Sequence, residues 1–345
     1  MKTIEILGEN RFETFTKTRA GSRAIIIRDG KILLSHEVNS GWWLIPGGGL
    51  EAGETPEMAC IREVEEETGY IVRPVRQFLT MNEYYEEYRY ISYYFVCEVT
   101  GKGRMKLTDA EIRRGVEPQW IPFSEAVRVF SEHESYAAVS EEKRGAYQRE
   151  YIALQAYTEE LTNIIFVRHA RSVFGENDRT RPLSEEGLCD RGIVLDTLKE
   201  RKIDSFLCSP YKRSLETIQP AADYFRLPIH TDERLRERKA GSHEGSLLEK
   251  RWADFTFAEE GGENLASVQA RNMEALAGIL REYQGKTVVI GTHGTALCTI
   301  LNHYNRNFGV DDFLRIVNWM PYLIELSFDH EQLVDIQELA HVEKQ

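Results

Sequence analysis

Two apolar runs near the N-terminus, Arg23 to Arg28 (RAIIIR) and Lys31 to His36 (KILLSH), flank Asp29-Gly30. That dipeptide between strand-like runs predicts a hairpin. Further on, Val75–Thr80 and Tyr90–Val99 read as strands, the second apolar enough to be central, and QWIPF reads as another. Ser124 is placed to cap a helix through EAVRVF, and a polar helical segment runs from about Glu141 to Leu161. The pattern then restarts. NIIFVRHARS, SFLCSP and TVVIGTHGTAL each begin with a short continuous apolar run, as strands buried on both faces do.

Between the first hairpin and these later strands lies a stretch of different character, GGGLEAGETPEMACIREVEEETGY, from Gly47 to Tyr70. Thr55 and Pro56 read as the N-cap and first residue of a helix, and Gly69 as its stop. At about 100° per residue, Cys60, Ile61, Val64 and Thr68 share one side of that helix and Glu63, Glu66 and Glu67 another. Arg62 lies one turn before Glu66, within ion-pair reach. A helix face carrying three carboxylates repels itself unless a cation sits on it, and oxygen-only ligands suit Mg²⁺ or Mn²⁺.

The spacing G-x5-E-x7-R-E-U-x-E-E-x-G-U, with U a bulky apolar residue, is met by Gly48, Glu54, Arg62, Glu63, Val64, Glu66, Glu67, Gly69 and Tyr70. It resembles the Nudix box of hydrolases that cut nucleoside diphosphates linked to another moiety. The resemblance implies an α/β/α sandwich with Mg²⁺ or Mn²⁺ on Glu63, Glu66 and Glu67, and with Glu66 or Glu67 assisting deprotonation of water. Gly48 would serve the substrate loop, and Arg62 would belong to the catalytic set. Family members add a metal-binding Glu beyond the box. Glu111 and Glu117 are both available, and Glu117, just ahead of QWIPF, is the preferred one. Tyr84, Tyr85 and Tyr88 stand where relatives acting on dinucleoside polyphosphates carry a tyrosine, or simply form an aromatic strand edge. Trp42 and Trp43 are read as core.

In the second half, Arg168 and His169 end the first strand, Arg213 opens a helix after SFLCSP, and Glu237 lies in RLRERKAGSHEG. His293 follows TVVIGT at a helix N-terminus, whose dipole favours anions. This ordered set resembles the histidine phosphatase superfamily, also called phosphoglycerate mutase-like, which implies a three-layer α/β/α domain. His169 would be the phosphorylated nucleophile, Arg168, Arg213 and His293 would hold the phosphoryl oxygens, and Glu237 would protonate the leaving oxygen, with no cofactor. Two departures stand out: RHG reads Arg168-His169-Ala170, and the Asn many relatives place after the histidine has only a displaced counterpart, Asn177, beyond Gly175 and Glu176. The other histidines, His243 among them, lack ligand spacing.

A chain of 345 residues suits two domains. The α/β halves are expected to be 1–162, Nudix with a C-terminal linker helix, and 163–345, histidine phosphatase. With 42% hydrophobic and 29% charged residues and no membrane-length apolar run, the composition is that of a soluble protein. Five scattered cysteines without a CxxC pair read as reduced thiols, and the N-terminus has no apolar signal core; both fit a cytoplasmic location. A formal charge of −13 argues against a nucleic-acid polymer as partner and leaves small nucleotides and phosphomonoesters, with a homo-oligomer compatible. The expected activity is bifunctional: Mg²⁺-dependent cleavage of an oxidised or ordinary NTP or a dinucleoside polyphosphate, then terminal phosphate removal through phospho-His169. Two alternatives are independent activities, the second on a sugar phosphate or other small phosphomonoester, and a nucleotide sensor with one silent domain.

Overall fold

The computed structural model describes residues 2–175, 177–241 and 247–344; Glu176 and His243 lie outside them. The chain divides into two compact units, Met1–Glu160 and Leu161–Gln345.

The first unit runs β1 (Lys2–Leu7), β2 (Lys17–Arg28), β3 (Lys31–Glu37), β4 (Trp42–Leu44), β5 (Gly47–Gly49), α1 (Pro56–Thr68), β6 (Tyr70–Tyr85) and β7 (Tyr88–Lys102). It ends with α2 (Asp109–Arg114), β8 (Val116–Pro122), α3 (Phe123–Ser131) and α4 (Glu141–Thr158). The mixed sheet is ordered β1-β6-β7-β2-β3-β4, with β5 on β2 and β8 on β3. Arg28 pairs with Lys31 across Asp29-Gly30, the predicted hairpin. β7 is interior, as its apolar content implies, and its alternation builds two cores. Phe95 packs with Cys60 and Val64 of α1, whereas the Tyr94 hydroxyl reaches Glu150 of α4 on the other face. Helices therefore cover both faces of the sheet.

Three expectations change. β6 and β7 are much longer than predicted and join at Glu86-Glu87, because Glu86 adopts a φ of 49° in a turn without glycine or asparagine. Ser124 lies inside α3, whose N-cap is Pro122 with no side-chain bond. Trp42 and Trp43 are half-buried rather than core, Trp43 stacking on His36 at 4.0 Å between centroids.

The second unit contains β9 (Thr162–Arg168), α5 (Glu185–Asp190), α6 (Gly192–Leu198), β10 (Ser205–Cys208), α7 (Lys212–Phe225), β11 (Ile229–Thr231) and α8 (Leu247–Ala253). It continues with α9 (Leu265–Glu282), β12 (Thr287–Thr292), α10 (Gly294–Tyr304), α11 (Val310–Ile316), β13 (Trp319–Asp329) and β14 (Gln332–Glu343). The sheet order is β11-β10-β12-β9-β13-β14, with the first four strands parallel and the terminal hairpin antiparallel. The apolar run of β9 is explained by two-sided burial. Ile164 and Phe166 join the core under α9 and α10, and Ile165 and Val167 the core under α6 and α7. Arg168 pairs with Thr292, so His169 and His293 leave neighbouring parallel strands at the same edge. Carboxyl ends of parallel strands are where open α/β sheets gather their sites.

Candidate functional sites

The first site is built on α1. Thr55 caps its N-terminus by accepting the Met58 N–H, Pro56 starts it, and Gly69 closes it in the left-handed region at φ 70°. Gly47 must also be glycine: its φ is +147°, and a Cβ there would stand 2.0 Å from the Ser22 carbonyl oxygen. Arg62 organises the carboxylates. Its guanidinium bonds Glu54 at 2.7 and 2.8 Å, Glu63 at 2.8 Å, Glu66 at 3.1 Å and the Gly49 carbonyl at 2.9 Å. The bonds from Arg62 hold the Glu54 carboxyl down at about 2. Glu67 is held separately. It accepts from the Ser35 hydroxyl at 2.8 Å and the Gly47 N–H at 3.2 Å, and burial pushes it up to about 7 against those bonds. Burial likewise raises Glu63 despite Arg62, with the charges of Glu66 and Glu111 adding to the rise.

Three carboxylates thus share one guanidinium and a fourth, Glu67, lies beside them, an all-oxygen donor set short of positive charge, which fits a hard divalent cation. In this arrangement no three of them converge as a metal-holding group among the described residues. Arg62 occupies three of the four, so cation binding would compete with its bonds.

Glu117 is not brought to this cluster. It sits exposed at the start of β8, paired with His36 across the strands, and its carboxylate accepts from Gln119 at 2.6 Å. Glu111, in the capping box of α2, is the carboxylate outside the Nudix box whose charge reaches Glu63. Tyr84 and Tyr85 end β6 and Tyr88 opens β7, where Tyr88 stacks on Tyr90.

Gly48 supports the box through space rather than backbone freedom. A Cβ at this position would lie 2.4 Å from Glu63 Oε2 and 2.5 Å from its Cδ. Because the obstacle is the end of a flexible side chain, Gly48→Ala should fold with an unchanged melting curve yet displace the Glu63 carboxylate. Hydrolysis by this unit should fall by about tenfold or more, measured as kcat/KM.

The second site gathers at the strand ends. The His169 Nδ1 donates to the Ala170 carbonyl at 2.7 Å, leaving Nε2 as the acceptor nitrogen, and Arg213 Nε donates to it at 3.0 Å. Desolvation, then the charges of Arg213 and Arg168, hold His169 well below the usual 6.5, so the imidazole is neutral. His293 is buried and lowered for related reasons, its ring 5.3 Å from that of His169. Its Nε2 meets the Ser209 hydroxyl at 2.7 Å, while its Nδ1 is buried without a hydrogen-bond partner. Arg168 donates to the Ile316 carbonyl at 2.6 Å, and its Nε is likewise buried and unpartnered. These two buried nitrogens, beside the Arg168 and Arg213 guanidiniums, remain open to a ligand.

Glu237 completes the group in an unexpected way. Its carboxyl oxygens accept the N–H groups of Thr295 and Ala296 at 3.1 and 3.2 Å, so the α10 N-terminus is capped by the Glu237 side chain. Asn177 is spent on a local turn, accepting from the Arg179 and Thr180 N–H groups. The next residue, Asp178, reaches Arg213 at 3.1 Å. A cavity of about 760 Å³ opens onto Arg168, His169, Arg213 and Glu237, with Phe174 at 99% exposure also lining it. Ser35, Asp178 and Ser209 also join the sites, and no sequence pattern marks them. Ser209, immediately after a strand, carried a positional signal; the others are recruited by folding alone.

Comparison with known proteins agrees with this division. The model of the histidine phosphatase superfamily (branch 1) matches residues 164–336, and that of the NUDIX domain matches residues 17–142. The Uncharacterized phosphatase PhoE of Bacillus subtilis is 26% identical over 190 residues, covering 53% of this chain and 97% of that protein. The Putative ADP-ribose pyrophosphatase YjhB of the same organism is 29% identical over 113 residues, covering 30% of this chain and 53% of its own length. Among solved structures, a mycobacterial glucosyl-3-phosphoglycerate phosphatase aligns over 52% of this chain and 97% of its own at 20% identity, with a TM-score of 0.44. Among the described residues, no helix is long and apolar enough to cross a membrane.

Proposed function

From a chain that belongs to the histidine phosphatase superfamily and carries a NUDIX domain ahead of it, we propose two hydrolytic sites of different chemistry. The first would cut a phosphoanhydride of a nucleoside polyphosphate, an oxidised or ordinary NTP or a dinucleoside polyphosphate. The second would remove a terminal phosphate through a phosphohistidine.

At the second site, the His169 Nε2 lone pair, released by Arg213 Nε as that guanidinium turns to the phosphoryl oxygens, attacks phosphorus as the bond to the leaving oxygen breaks, and Glu237 supplies that oxygen with a proton. Water then attacks phosphorus as the P–N bond breaks, its proton returns to Glu237, and phosphate departs. The guanidiniums of Arg168 and Arg213 supply charge and donors to the phosphoryl oxygens, and the His293 ring lies beside them as a neutral group, which is most of what phosphoryl transfer asks of a protein. The observation that carries this reading is the coincidence of a fixed neutral Nε2 acceptor with two unpartnered buried nitrogens, Arg168 Nε and His293 Nδ1. Phe174, exposed at the cavity, offers an apolar face to a nucleobase, which favours a nucleotide over a sugar phosphate.

At the first site, Glu63, Glu66 and Glu67 would hold Mg²⁺ or Mn²⁺, with Glu111 rather than Glu117 as the further carboxylate. When bound, the ion supplies charge neutralisation for the polyphosphate and acidifies water. Glu66 or Glu67 accepts the water proton, and Arg62 fixes Glu63 and Glu66 in register.

The depressed histidines give a pH signature. Because His169 titrates below 6.5, kcat/KM on p-nitrophenyl phosphate should show no enzyme limb near pH 6.5 as acid is added, the loss appearing lower. Unfolded histidine binds protons from about pH 6.5 downward and the folded site does not. The stability that His169 and His293 confer is therefore present above pH 6.5 and is lost as pH falls, which urea midpoints at pH 7.5 and 5.5 would show. A panel of NTPs, 8-oxo-dGTP, diadenosine tetraphosphate and nucleotide sugars, with products resolved by mass, tests the substrate class. Turnover of sugar phosphates alone would refute it.

A further inference from the structure

The loop carrying Glu237 is held from behind by an arginine–glutamate pair. Arg271, on α9, spends five hydrogen bonds there. Its Nη1 donates to the carbonyls of Arg234 and Arg236 at 2.6 and 2.7 Å, and its Nη2 to the carbonyl of Glu237 at 3.2 Å. Its Nε and Nη2 also grip Glu263 at 2.9 and 3.0 Å. A guanidinium has five N–H donors, so this is its full complement. Glu263 in turn accepts from Arg236 at 2.8 Å and from the Lys239 N–H at 3.3 Å, so the same pair ties both flanks of Glu237. Burial would raise the Glu263 carboxyl, but the bonds from Arg271 and Arg236 hold it at about 2. Arg271 and Glu263 side chains are 13% and 14% exposed. A surface ion pair does not need three backbone carbonyls, and a core ion pair does not need to sit under one loop. The arrangement is a clamp on residues 234–239, and the side chain it presents is Glu237.

We propose that Arg271, with Glu263, is a positioning residue that fixes Glu237 where it can protonate the leaving oxygen; this rests on Glu237 being the acid of the second site. Arg271 does not itself meet the substrate. Its loss weakens proton delivery while the His169 attack and the arginine contacts persist.

Proton delivery can be read separately from attack by varying the leaving group. A nitrophenolate departs without help, whereas phenolate and alkoxides need the proton. For Arg271→Ala, kcat/KM should fall by about 10- to 100-fold on phenyl phosphate and by less than about threefold on 2,4-dinitrophenyl phosphate. Arg271→Lys keeps the charge but cannot make five bonds, and it should show the same selective loss; it also carries the test if the alanine variant does not fold. Glu237→Gln should show a larger loss of the same kind, and adding Arg271→Ala to it should cost little more, since the two act as a unit. An equal loss on both esters, full activity in Arg271→Lys, or additive losses in the double variant would overturn the clamp. No leaving-group selectivity in Glu237→Gln would instead overturn Glu237 as the acid.

Discussion

His169→Ala should abolish phosphomonoester hydrolysis, a loss of about 10⁴-fold or more in kcat, while phosphoanhydride cleavage by the same preparation stays within about twofold. The size of the effect follows from the geometry. His169 Nε2 is the one neutral acceptor nitrogen placed by a backbone bond among Arg168, Arg213 and His293, and alanine removes the attacking atom itself. The remaining cations could still bind phosphate, so KM or product inhibition should change far less than kcat. The selectivity follows from the division of the chain into two units with their own cores, of which His169 belongs only to the second. Parallel assays with p-nitrophenyl phosphate and a nucleoside triphosphate check both halves. A variant losing both activities together would contradict the separation of the two chemistries.

The second large effect runs the other way. Glu66→Gln should lower phosphoanhydride cleavage by about 10²- to 10⁴-fold and leave phosphatase activity unchanged, and chelation by EDTA should do the same to the wild-type protein. Glu66 is the clearest box position to test because it is the least embedded of the three acids on the α1 face. Its side chain is 31% exposed, against 16% for Glu63, and its bond to Arg62 is the longest that Arg62 makes, at 3.1 Å. Glu67, half-buried and tied to Ser35 and Gly47, would confuse loss of chemistry with loss of the loop. Glutamine keeps the shape and removes the charge, so the melting curve should hardly move. Retained Mg²⁺-dependent turnover in Glu66→Gln would mean that the box carboxylates do not form the site. Phosphatase activity that requires added Mg²⁺ would count equally against His169.

What could be read along the chain divides by the range of the forces involved. The ends of α1 were legible because Thr55, Pro56 and Gly69 act within a few residues of themselves, and the same local chemistry marks Asp29-Gly30. The run from Ile164 to Val167 was legible because burial on both faces leaves no polar alternation. By contrast, β1 joins its sheet by pairing in parallel with β6, some 75 residues later in the register Lys2 to Leu79, which no local pattern announces. The turn at Glu86-Glu87 uses no residue suited to positive φ, and β13 and β14 turn at His330 in the same way. Of the sites, the residues proposed to meet phosphate or cation carry recognisable spacing. Those that hold them in place do not: Asp178 against Arg213, Ser35 against Glu67, Arg271 beneath Glu237. Each is chosen by tertiary proximity. The choice between Glu111 and Glu117 is of the same kind, since only the fold of α2 sets the Glu111 charge near Glu63.

That one chain joins a cation-dependent and a cation-independent hydrolase is tested most directly by trapping the second intermediate. Brief incubation with a ³²P-labelled phosphomonoester in EDTA, followed by alkaline denaturation, should leave label on the protein. The bond should be alkali-stable and acid-labile, map to His169 and be absent from His169→Ala. Label that requires Mg²⁺, resides on another residue or persists in His169→Ala would contradict it.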